Sequence, residues 1–324
     1  GLTRTIAATI APQFVQPTQT YALQGASSPA AQADAVNVDT VLTLTFDTPP
    51  TLGTTGSIRI FRKADDALVD VIRTSGETDA LGYPGQTLVR RVNTAPIRIA
   101  GNTVSIAPHV GKLAYGTDYY VAIADGVFTN TTLGGLPFVG IGKLGGWSFT
   151  TKPAAPLAST VTVDDDGPAD FRTVQGALNY AMQNFAKTAP VTINVRNGTY
   201  DELLYLNGKD NVTIKGESRD GVVVRYTNND TLNTGTGSSQ SSTVAGSPAG
   251  GRAVMLVENA DMLVLDTLTI DNTTIRSAAI SGQAETLYFN SDTRLVAKHA
   301  NFLSEQDTLN LKGWAWFYDA LVAG

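Results

Sequence analysis

Beyond residue 190 the chain is written as short β-branched runs set between Gly, Asn and Asp turns, with no helical pattern between them. The runs are 191–195, 212–215, 222–226, 254–257, 263–270, 286–289, 295–302 and 316–322. Strands that pair in parallel normally need a crossover helix, unless the chain coils and stacks each turn on the last. One amphipathic helix precedes the runs. Val174, Ala177, Leu178, Ala181, Met182 and Phe185 recur at helical spacing, with Thr173 placed to cap the start. A single helix followed by many strands predicts a parallel β-helix, with the helix covering the open end and shielding its unpaired edge. An antiparallel barrel is the alternative architecture.

The first 150 residues read differently. Val41–Phe46, Ser57–Arg62, Pro96–Ile99, Thr103–Ile106, Tyr119–Ile123 and Trp147–Thr150 are apolar or alternating, and Gly, Pro and Asn punctuate them. Short strands between such turns predict a β-sandwich. The strand order and the segment Tyr115-Gly116-Thr117-Asp118-Tyr119-Tyr120-Val121 resemble bacterial Ig-like modules of secreted and cell-surface proteins. Lys152-Pro153-Ala154-Ala155-Pro156 reads as a linker, giving a sandwich over 1–152 and a coil over 157–324, each expected to fold independently. Gly140-Ile141-Gly142-Lys143-Leu144-Gly145 satisfies the dinucleotide fingerprint G-x-G-x-x-G. A strand-like Trp147–Thr150 follows it where the fingerprint needs a helix, so it reads as a loop.

Composition narrows the chemistry. Cysteine is absent and His109 and His299 are the two histidines, which excludes thiolate nucleophiles, disulfides and imidazole-rich metal centres. No G-x-S-x-G elbow occurs. The net charge is −6, with 23 Lys+Arg against 29 Asp+Glu and no basic run, so nucleic acid is not an expected partner. No apolar stretch is long enough to span a membrane. Low charge, abundant Thr and Gly and the avoidance of cysteine suit a secreted, periplasmic or cell-surface bacterial protein.

Beyond the linker, a set of motifs stands in order. Asp170-Phe171-Arg172-Thr173-Val174-Gln175-Gly176-Ala177-Leu178 is followed by Gly198-Thr199-Tyr200-Asp201-Glu202 and by Asn211–Gly216. Later come Leu268-Thr269-Ile270-Asp271-Asn272, then Gln283-Ala284, then Asn301–Leu309, which contains Gln306-Asp307-Thr308-Leu309. In sequence and spacing this set resembles the pectin methylesterase family over residues 161–324. The resemblance implies a right-handed parallel β-helix that hydrolyses methyl esters of polygalacturonate without metal or cofactor, using two aspartates and a glutamine. It implies that Asp307 is the general acid/base and Gln283 the oxyanion donor, with Gln306 beside it as a second donor. Gly235 and Thr236, in the Ser/Thr/Gly-rich stretch 228–251, correspond to a loop that the family places near its groove.

The chemistry makes independent demands. Ester hydrolysis needs a nucleophile, a proton donor for the leaving methoxide, and donors for the developing oxyanion. A carboxyl that gives up a proton and later takes one back needs burial or a neighbouring carboxylate to raise its pKa. A glutamine amide donates hydrogen bonds without titrating. The bland alternatives are that Gln306–Leu309 is an ordinary solenoid turn and Gln283 an exposed polar residue. Trp314, Trp316, Phe317 and Tyr318 could stack on sugar rings, but most of them are expected in the core.

The chain also departs from the family. Asn310 follows the Q-D-T-L motif where the family often has Tyr. The family's nucleophilic aspartate lies downstream in a V-D-F-I-x-G segment, and Trp316–Gly324 resembles the strand leading into it. The nucleophile is therefore expected beyond Gly324, on a continuation or a second polypeptide, with the coil incomplete and residues 1–324 inactive alone. Competing functions are a same-fold esterase or thioesterase acting on another acyl ester, and a non-catalytic carbohydrate-binding or adhesion module.

Overall fold

The computed structural model describes residues 14–242, 249–280 and 282–324. Its second half is a parallel coil. Among the described residues, one sheet contains Thr160–Val163, Val191–Val195, Val212–Gly216, Leu263–Asp266, Arg294–Lys298 and Trp314–Tyr318. A second contains Gly198–Asp201, Val222–Tyr226, Thr269–Asn272, Asn301–Leu303 and Leu321–Ala323, and a third Leu204–Asn207, Met255–Glu258, Leu287–Asn290 and Leu309–Leu311. Every pair in these sheets is parallel and in step, so inward residues stack in columns. Val161, Ile193, Ile214, Leu265, Ala297 and Phe317 form one, and Tyr200, Val224, Ile270, Phe302 and Val322 another.

Three runs expected to be single strands, 263–270, 295–302 and 316–322, each divide between two sheets. The corners fall at Thr267, His299 and Asp319, whose φ values are +57°, +52° and +47°. The left-handed region at these points turns the chain onto the next face. His and Asp enter it more readily than β-branched Thr, so local propensity hides the corner at Thr267. The aromatic run is also a correction. Phe317 packs against Phe302, but Trp314, Trp316 and Tyr318 lie on the outward face, 72%, 56% and 56% exposed. Alternation along a strand sends these three away from the core.

The helix spans Val174–Asn184, with Thr173 as its N-cap accepting from Gly176 N at 2.9 Å. Its apolar face packs into the same core as the coil. Two carboxylates outside the helix also satisfy N–H groups of its first turn and of the two residues leading into it. Glu202 accepts from Val174 N at 2.7 Å and Gln175 N at 2.8 Å, and Asp39 accepts from Arg172 N at 2.9 Å and Thr173 N at 2.8 Å. Gly176 makes room for the second, since a Cβ there would stand 2.2 Å from Asp39 Oδ2.

Asp39 belongs to the first half, a two-sheet sandwich. One sheet is ordered Ser27–Ser28, Leu42–Thr45, Thr103–Ile106, Ile97–Ala100, and the other Ala33–Val36, Ser148–Thr151, Asp118–Ile123, Ser57–Arg62, Leu68–Arg73. The G-x-G-x-x-G stretch bridges Ile141 to Ile123, makes one 3-10 turn and enters the strand Ser148–Thr151. An antiparallel hairpin, Glu77–Leu81 with Leu88–Thr94, leaves the sandwich and lies on the coil. Its Leu81 and Val92 belong to the coil's apolar core. The two halves on either side of the linker therefore pack against each other through this hairpin. The linker's composition reports a turn-rich connection and carries no information about the surfaces on either side.

Burial pushes the Glu202 carboxyl up to about 8, against the pull of the two helix N–H groups, and neighbouring Asp39 adds to the rise. A folded-state value above the ordinary 4.5 means the folded protein holds this proton more tightly than the unfolded chain. Stability from this group is then full below about 4.5 and falls as pH rises through about 8. Glu202→Gln, which cannot ionise, is expected to flatten that decline. Thermal midpoints of both proteins across this window check it, and curves that run parallel would overturn it.

Candidate active site

In each turn of the coil the chain crosses from the second sheet to the third at the same corner. The crossings are residues 202–203, 227–254, 273–286 and 304–308. All five site residues expected from the sequence fall on them: Gly235 and Thr236 on the second, Gln283 on the third, Gln306 and Asp307 on the fourth. Because neighbouring strands lie roughly 4.8 Å apart, residues distant in sequence are stacked here as neighbours in space.

Specific bonds tie the crossings together. Val254 N donates to Glu285 O at 3.0 Å, and Thr286 N to Thr308 O at 2.9 Å. Asn272, buried, donates through Nδ2 to Asn228 O at 2.7 Å and Glu285 O at 2.9 Å, and accepts from Asn228 N at 3.2 Å. Thr308 Oγ1 reaches Ala323 O at 3.0 Å in the following turn. The Asn of L-T-I-x-N and the Thr of Q-D-T-L thus hold the corner in shape.

Gln283 is half-buried, and its carbonyl accepts from Asp230 N at 3.0 Å. Gly282 allows that approach, because a Cβ there would meet Asp230 Cβ at 2.5 Å. Asp230 Oδ1 also accepts from Gly235 N at 2.8 Å, while Gly235 O accepts from Arg252 N at 3.1 Å. Gly235 occupies the left-handed region at φ +80°. An antiparallel bridge between Ala284 and Gln306 brings the third and fourth crossings together. Gln306 Oε1 is enclosed and meets no hydrogen-bond donor among the described residues. Asp307 is exposed, with φ +56°, so the burial that proton donation asks for is not supplied by this chain's own side chains. Residues 243–248 of the Ser/Thr/Gly-rich stretch lie outside the described residues.

Sequence reasoning missed the ion cluster beneath this corner. Arg252 Nε meets both oxygens of Glu285 at 2.9 and 2.7 Å, and Nη1 meets Asp230 Oδ1 at 3.0 Å. The bonds from Gly235 N and Arg252 hold the Asp230 carboxyl below the ordinary carboxylate range. Three charged residues, two on the second crossing and one on the third, leave no periodic or motif signal.

Two other features are separate from the corner. A cavity of about 1080 Å³ lies where sandwich and coil meet and is lined by none of the five site residues. Asp164, Asp165 and Asp166 gather their carboxylates within 4.8 Å, but Asp164 already accepts from Asp166 N and Gly167 N at 3.2 and 2.8 Å. That geometry is a turn closed by its own side chain.

Residues 160–324 match the pectinesterase family, and residues 22–151 match the bacterial Ig-like domain. The chain belongs to the pectinesterase family. Among solved structures, this pectinesterase-family chain is similar to a pectin methylesterase from Erwinia chrysanthemi, at 27% identity over 50% of this chain and 48% of that one, with a TM-score of 0.40. It is also similar to one from Yersinia enterocolitica, at 26% identity over 47% and 48%, with a TM-score of 0.37. For a carrot pectin methylesterase the identity is 21% over 53% and 48%, with a TM-score of 0.42. The chain spans about half the length of these structures. No curated protein matches it. Among the described residues, no helix is long and apolar enough to cross a membrane.

Arg252→Met should strand the Glu285 carboxylate, whose side chain is 2% exposed, without its cation. Breaking a buried pair in this way costs about 3–5 kcal/mol. Urea denaturation measures the loss, and a change well under 1 kcal/mol would show that the cluster does not hold the corner.

Proposed function

We propose that this pectinesterase-family chain carries catalytic residues of an esterase that removes methyl groups from pectin outside the cell. The supporting observation is the shared corner, where Gly235, Thr236, Gln283, Gln306 and Asp307 come from successive crossings and are linked through Asp230 and the Ala284–Gln306 bridge. In this reading Asp307 is the general acid/base. Gln283 donates to the developing oxyanion, and Gln306 is the secondary donor. Gly235 and Thr236 form a wall of the sugar groove. The reading uses no metal or cofactor and assigns the nucleophile's role to no residue of 1–324. A polysaccharide lying over the corner would itself exclude water from Asp307 and so supply the sequestration that its proton-donor role requires. The sandwich over 1–152 and the coil over 157–324 are its two units. The extracellular setting fits the Ig-like match and the cysteine-free composition.

The test is methanol release from highly methylated pectin by the full-length protein. Asp307→Asn is expected to lower turnover by about 10²–10⁴-fold with an unchanged thermal midpoint. Gln283→Ala should lower kcat more than it raises KM, because an oxyanion donor acts mainly in the transition state. Near-wild-type turnover by Asp307→Asn would overturn the assignment. Turnover of acyl thioesters in place of pectin would identify a different esterase. Pectin binding without any methanol release would identify a carbohydrate-binding module.

A further inference from the structure

Arg90 lies on the hairpin of the Ig-like half and is fully buried. Its guanidinium donates to main-chain oxygens of the coil. Nε reaches Gly250 O at 2.7 Å, Nη1 reaches Leu204 O at 2.7 Å and Val254 O at 3.0 Å, and Nη2 reaches Gly251 O at 3.0 Å as well as Ala253 O. Burial pulls its pKa down to about 9, which still leaves it charged at neutral pH. Taking a cation out of water costs several kcal/mol unless its donors are all filled, and here carbonyl oxygens fill them. Four of the five acceptors lie on one short limb, 250–254, of the second crossing.

The rest of the hairpin grips the same crossing. Leu88 and Val89 pair antiparallel with Ser241 and Gln240. Asn93 N donates to Asn233 Oδ1 at 2.7 Å, and Asn93 Nδ2 to Leu232 O at 2.8 Å. Arg91 bonds the carbonyl of Ser242. Gly251, held by Arg90, lies directly against Thr236, and a Cβ there would stand 2.3 Å from Thr236 O. A contiguous path therefore runs from the hairpin through Arg90 and Gly251 to the two residues assigned to the groove wall.

We propose that Arg90 is a positioning residue for polysaccharide binding, fixing limbs 228–242 and 249–254 so that Gly235 and Thr236 form one wall of the groove. The Ig-like half is then a component of the binding surface rather than a separate attachment module. This rests on the esterase reading above.

The test uses the full-length protein with Arg90→Gln, Arg90→Lys and the milder Asn93→Ala. Hydrogen exchange should speed up by about tenfold or more at amides of 228–242 in Arg90→Gln, while the core strand Leu263–Asp266 keeps its protection. KM for methylated oligogalacturonide should rise about tenfold with kcat changed by less than about twofold. Arg90→Lys, which keeps the charge without the planar fork, should fall between. If Arg90→Gln does not fold, Asn93→Ala carries both measurements. Unchanged exchange in 228–242 would overturn the proposal, as would faster exchange with an unmoved KM. If the wild-type protein releases no methanol, the esterase reading fails by itself, and exchange still decides whether Arg90 holds the crossing.

Discussion

A coil of parallel strands can satisfy its backbone N–H and C=O groups only through the turns above and below it. That requirement fixes the register here residue against residue, from Thr160–Val163 to Trp314–Tyr318. Once the register is fixed, so is the corner from which each crossing leaves. The spatial neighbours of Gln283 are then decided by the ladder and not by its own sequence surroundings. Insertions of very different length, from 202–203 to 227–254, leave and rejoin the coil without disturbing the columns inside.

The second crossing is the longest of these, and a long polar loop on a solenoid has little reason to hold one shape. In this protein the shape comes from outside the coil. The Ig-like hairpin adds strand pairing at Gln240–Ser241, a buried guanidinium on its closing limb, and two apolar residues to the coil's core. At the other end of the junction, Asp39 holds the N–H groups leading into the helix while Glu202 satisfies its first turn. The two halves therefore satisfy polar groups of one another across the junction.

The motif residues divide into two kinds. Asp170 accepts from Thr162 N at 2.8 Å and Phe171 packs on the Tyr180 ring, so the D-F pair builds the start of the coil. Glu202 of G-x-Y-x-E caps the helix, while Asn272 and Thr308 pin the crossings. Gln283, Gln306 and Asp307 make few such bonds. Gln306 Oε1, which meets no donor among the described residues, and the exposed carboxylate of Asp307 contribute little to the fold. Side chains spared structural duties are the ones free to meet a substrate.

Period-two runs between turn residues and one helical stripe with a Thr cap were enough to specify from sequence a sandwich, a helix and a coil, while the family resemblance of the ordered motifs nominated Asp307, Gln283, Gln306, Gly235 and Thr236. Those signals are local, and local pattern records which face of an element is apolar. The corners at Thr267, His299 and Asp319 were not legible, because a run with apolar residues on both sides of one or two polar positions reads as one strand whether or not its chain turns there. The hairpin was missed for a related reason. In Leu88-Val89-Arg90-Arg91-Val92 the buried member Arg90 is charged, and its burial makes sense only once carbonyls of the coil surround it. The Asp230–Arg252–Glu285 cluster and the docking of the Ig-like half were settled by tertiary structure alone. Both join groups far apart in the chain, and such pairings exist only after the turns have stacked.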